Sequence, residues 1–68
     1  MNLIAWNHAR KLANAQEKLA YWNGMYEAFK VIVRSTHCHN DELQLAEAFA
    51  NACKYKARVR HLTEKILQ

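Results

Sequence analysis

The sequence predicts an all-α fold, an antiparallel two-helix hairpin that homodimerises into a four-helix bundle. Three observations predict it. The 68-residue chain holds no proline and one glycine, and a turn-rich β fold needs such residues at its corners. Alanine, leucine, lysine, glutamate and glutamine are abundant, and these are strong helix formers. Apolar residues recur at alternating steps of three and four along two long segments separated by one polar break, which is the pattern of packed helix seams. The reading divides the single domain, residues 1–68, into a helix over about 3–34, a turn over about 35–40 and a helix over about 41–67.

The first helix carries the series Leu12, Ala15, Leu19, Trp22, Tyr26, Phe29 and Val33, which Ala5 and His8 extend backwards. Asn23-Gly24 is a turn dipeptide, and a break there would give three helices. The apolar series runs through it in phase, and an interior glycine costs a helix only about 1 kcal/mol, so one continuous helix is expected. Phe29 to Thr36 has strand-like composition, but a lone strand has no partner. Trp6 and Val31 point away from both apolar faces and find no role in this scheme.

Ser35 to Asn40 is polar and breaks the series. Asn40 or Asp41 is then the expected N-cap, with Asp41 and Glu42 in a first turn where the helix dipole favours anions. The second helix repeats the seam pattern at Leu45, Ala48, Ala52, Tyr55, Val59, Leu62 and Ile66, with Phe49 on its shoulder. Arg58, Arg60, His61 and Lys65 give its last turns the sign that suits a helix C-terminus.

A domain of this size buries only about 60% of the surface its unfolded chain exposes. Small scaffolds are usually completed by disulfides, a metal or oligomerisation. Cys38 and Cys53 stand roughly 18 Å apart in helical rise, beyond disulfide reach. Unpaired cysteines suit a reducing cytoplasm. His37-Cys38-His39 offers zinc-type ligands, but adjacent residues diverge and no paired spacing sets two ligands on one face. It reads as a polar turn, with a metal-dependent dimer the weakest of three functional readings. Oligomerisation remains. Beside the seam of the first helix lies a second apolar shoulder of Leu3, Tyr21, Met25 and Ile32, bridged to it by Phe29. A lone hairpin cannot bury both faces, so Tyr21, Met25, Phe29 and Ile32 are the expected dimer or partner interface.

No apolar run approaches the roughly 20 residues of a membrane span. The segment Met1 to His8 has neither the basic start nor the apolar stretch of a signal peptide. Glu17, Glu27, Glu47 and Glu64 are scattered beside basic residues, as on solvated helix faces. There is no glycine-rich phosphate loop. Cys53 has no histidine at helical spacing, and His8 reads as a half-buried histidine with one nitrogen satisfied. Neither an enzyme nor a cofactor is expected.

The formal net charge is +4, and half of the ten lysines and arginines are concentrated in the last part of the second helix, between Lys54 and Lys65. Lys54, Arg58, His61 and Lys65, spaced by four, three and four, form a stripe expected on the face opposite the seam, with Lys56 and Arg60 on the other flank. Such a stripe suits phosphates or an acidic protein surface, and it also serves simply to keep a small domain solvated. A helix-turn-helix DNA reader is disfavoured, because its helices would be short and Asp41-Glu42 beside the turn would repel phosphate. A polar row on the first helix, Asn7, Arg10, Asn14 and Lys18, reads as surface. The leading expectation is a cytoplasmic, non-enzymatic regulator, inhibitor or adaptor that binds a protein partner. The alternative is an RNA- or DNA-binding regulator that uses the basic stripe.

Overall fold

Two helices make up the structure, a computed structural model that describes residues 3–67: α1, Leu3–Thr36, and α2, His39–Leu67. Met1, Asn2 and Gln68 lie outside the described residues. The helices pack antiparallel. The Tyr26 and Phe49 rings meet at 5.4 Å between centroids, and Lys18 Nζ sits 5.6 Å from the Tyr55 centroid. These two contacts fix the register. At 1.5 Å per residue, 34 residues make a rod of about 51 Å, and the molecule measures 51 × 14 × 13 Å.

α1 runs unbroken through Asn23-Gly24, as the uninterrupted apolar phase predicts. Gly24 is a helical residue with open space where a Cβ would stand, with nothing beyond its immediate neighbours and its own helix backbone within 4 Å.

The connection is shorter than the polar composition of 35–40 suggests. Among the described residues only His37 and Cys38 lie outside the helices. His37 adopts a left-handed backbone conformation, φ 51°, and donates its N–H to the Val33 carbonyl at 3.0 Å. This is the αL C-cap, with histidine where glycine is usual. The cap is Cys38 rather than Asn40 or Asp41, since the Cys38 carbonyl accepts the Glu42 N–H at 3.0 Å. Thr36 explains the change. Its Oγ1 lies 3.0 Å from both the Ile32 carbonyl and Asp41 Oδ2, and it accepts the Cys38 N–H at 3.4 Å. One hydroxyl thus ties the end of α1 to the first turn of α2, and Asp41 serves as its acceptor. With α2 starting at His39, Cys38 and Cys53 are separated by about 22 Å of helical rise, and both are free and exposed.

The seam follows the predicted series. Ala15, Ala48, Ala52 and Leu62 are buried, at 2%, 1%, 7% and 5% exposure. Leu12, Leu19, Trp22, Tyr26, Phe29 and Val33 of α1 are half-buried, as are Leu45, Tyr55 and Val59 of α2. The series fails at the open end of the hairpin, where Ala5 and Ile66 are exposed. His8 is half-buried as expected, but its Nδ1 is buried with no hydrogen-bond partner.

Gly24→Ala is expected to raise the free energy of unfolding by about 1 kcal/mol, the helix-propensity difference in open space. Urea denaturation measures it, and a destabilised variant would mean that the space beside Gly24 is filled in the assembled protein.

Candidate functional site

Two surface features carry functional content, and they occupy successive halves of the hairpin. Near the turn is the apolar shoulder of α1. Tyr21 is 59% exposed and Ile32 38% exposed, while Met25 and Phe29 are half-buried. Tyr21, Met25 and Ile32 share one face because they are spaced by four and seven residues. The Tyr21 ring stands edge-on to Trp22 at 5.1 Å between centroids. Leu3 is exposed but lies about 27 Å of helical rise from Tyr21, so it does not belong to this cluster. Trp6, which the sequence left without a role, has the Arg10 guanidinium over its ring at 5.6 Å.

Towards the open end, α1 and α2 enclose a groove of about 220 Å³. Lys11, Asn14 and Lys18 line it from α1, Lys54, Tyr55 and Arg58 from α2, and Ala15 belongs to the same lining. The groove exists because Ala15 brings no bulk to the seam. It is cationic because basic residues border the seam on both helices. This corrects the expected geometry of the basic stripe. Lys54 and Arg58 lie not opposite the seam but along its edge, on either side of Tyr55 in sequence and within reach of α1. His61 and Lys65 continue the stripe as exposed residues.

Tyr55 is the centre of the groove's electrostatics. Lys18 Nζ from α1 and Lys54 Nζ from α2 lie 5.6 and 5.5 Å from its ring centroid. The negative face of an aromatic ring attracts such cations and so offsets part of their mutual repulsion. No carboxylate lines the groove. Among the described residues the ion pairs are Lys30 with Glu27 at 3.4 Å and His39 with Glu42 at 3.9 Å, and neither involves a groove cation.

The sequence reading singled out Lys54 and Arg58 on α2, and Asn14 and Lys18 within a row assigned to surface. The structure brings these together. Lys11 and Tyr55 were missed as groove residues. Lys11 sits one turn from Asn14 and was legible as a neighbour of the row, whereas Tyr55 was absorbed into the seam. His37, Cys38 and His39 do not converge. His37 caps α1, Cys38 caps α2, and His39 faces Glu42. Among the described residues no helix is long and apolar enough to cross a membrane.

Compared with known protein families, curated proteins and solved structures, the chain matches none.

Clustered cations without counter-charges destabilise the fold by self-repulsion, and salt screens this. The melting temperature is therefore expected to rise as NaCl is raised from about 20 mM to about 500 mM. A fall over this range, followed by circular dichroism, would mean that ion pairs outweigh the groove's repulsion.

Proposed function

We propose that the protein is a non-enzymatic interaction module that acts as a homodimer. Two hairpins pack Tyr21, Met25, Phe29 and Ile32 against one another as a four-helix bundle, and the outer surfaces engage a protein partner. The free thiols of Cys38 and Cys53 suit work in a reducing compartment such as the cytoplasm.

The observation that carries this reading is the area the single hairpin leaves uncovered. Its accessible surface is 5260 Å², against about 4,450 Å² for a compact monomer of this mass. The excess of about 800 Å² matches what each partner contributes to a standard protein interface. Its radius of gyration is 15.4 Å, where a compact domain of this length would have about 11 Å. Among the described residues no large side chain is fully buried. A second copy covers the Tyr21–Ile32 face with the same type of surface, as a two-fold interface requires.

Sedimentation equilibrium at micromolar concentration is expected to give twice the 8.0 kDa chain mass. Met25→Asp would bury two carboxylates at the interface and weaken the dimer by about 2 kcal/mol or more, shifting the mass towards monomer and lowering the melting temperature. A stable wild-type monomer, or a Met25→Asp variant with unchanged mass and melting, would assign the face to another occupant.

A further inference from the structure

We propose that the groove between the open ends of α1 and α2 binds the phosphodiester backbone of a nucleic acid. Lys11, Lys18, Lys54 and Arg58 converge there from two helices with no carboxylate in the lining. Asn14 and Tyr55 complete a set in which every polar member is a type that donates to phosphate oxygens. The groove is also one part of a longer track. Helical spacing continues it as Asn7 and Arg10 on α1 and as His61 and Lys65 on α2. The two rows run side by side for about 16 Å, the rise of eleven residues. A linear array of this kind fits a repeating polyanion.

An acidic protein surface is the weaker fit. Protein interfaces are organised around a desolvated apolar or aromatic centre with charges at the rim. This groove has only Ala15 and the half-buried Tyr55 ring at its centre, and cations everywhere else. The apolar anchors of the hairpin are at the other end, near the turn. Binding is expected to be largely independent of base sequence, because the contacts available are to backbone rather than to base edges. The inference does not rest on the homodimer, since all its residues come from one hairpin.

The test is fluorescence anisotropy of labelled single-stranded RNA, duplex RNA and duplex DNA with the full chain, from about 50 to about 200 mM salt. Four phosphate contacts give a slope of log affinity on log salt of about −3 to −4. Lys54→Gln/Arg58→Gln is expected to weaken binding at least about tenfold at low salt and to reduce the slope by about 2. Lys56→Gln/Arg60→Gln removes the same charge from the other flank of α2 and is expected to leave both nearly unchanged. Circular dichroism and sedimentation on each variant separate loss of the groove from loss of fold or of dimer. Three results would overturn the proposal: no binding at low salt, equal losses in the two double variants, or equally tight binding of poly-glutamate. The last would make the groove a site for acidic polypeptide. The three nucleic acids, compared with one another, identify the backbone form the track prefers.

Discussion

Two helices share one line of contact, and in this chain alanine dominates that line. Ala15, Ala48 and Ala52 hold buried positions on it, and Leu62, at 5% exposure, is the one larger residue among the buried ones described. Small residues let helix axes approach closely, and close approach leaves the large side chains no room between the axes. Leu19, Trp22, Tyr26 and Tyr55, the bulkier seam residues, are accordingly only half-buried. The same constraint produces both surface features. On the turn side the second apolar face of α1, with Tyr21 and Ile32, finds no place on that line and stays exposed. On the open side the absence of bulk at Ala15 becomes a groove.

The polarity of α1 changes along a single row. Asn7, Arg10, Asn14 and Lys18 occupy it in the first half, and Tyr21, Met25, Ala28 and Ile32 continue it in the same phase. One helix face therefore presents cations towards the open end and apolar groups towards the turn. α2 matches the first half with Lys54, Arg58, His61 and Lys65, and sets Gln44, Glu47 and Asn51 against the second. The proposed self-association and the proposed anion binding draw on successive halves of this one side. Apolar halves can pack together while like-charged halves stay apart.

The seam was legible because period carries it. Leu12 to Val33 and Leu45 to Leu62 fall on one stripe each, and the helical phase through Gly24 overrode a local turn signal worth only about 1 kcal/mol. The connection was less legible. Composition marked 35–40 as polar, but Ser35 donates its hydroxyl to the Val31 carbonyl, and both Ser35 and Thr36 remain within α1. Asp41 looked like a cap by residue type, whereas its carboxylate accepts from Thr36 across the turn. The groove was half legible. Helical spacing identified basic and polar rows on each helix separately, and only the register between the helices set them side by side. Tyr55 could not be found from its own helix, because its role depends on Lys18 arriving from the other.

In the proposed dimer, a second copy covers the apolar face that one hairpin leaves exposed. The dependence of the melting temperature on protein concentration tests this directly, because an assembly that buries the exposed face couples folding to association. The melting temperature is predicted to climb steadily as the chain concentration is raised over two orders of magnitude. A melting temperature that does not change with concentration, with a cooperative transition throughout, would mean that one hairpin is a complete folding unit and would contradict the account.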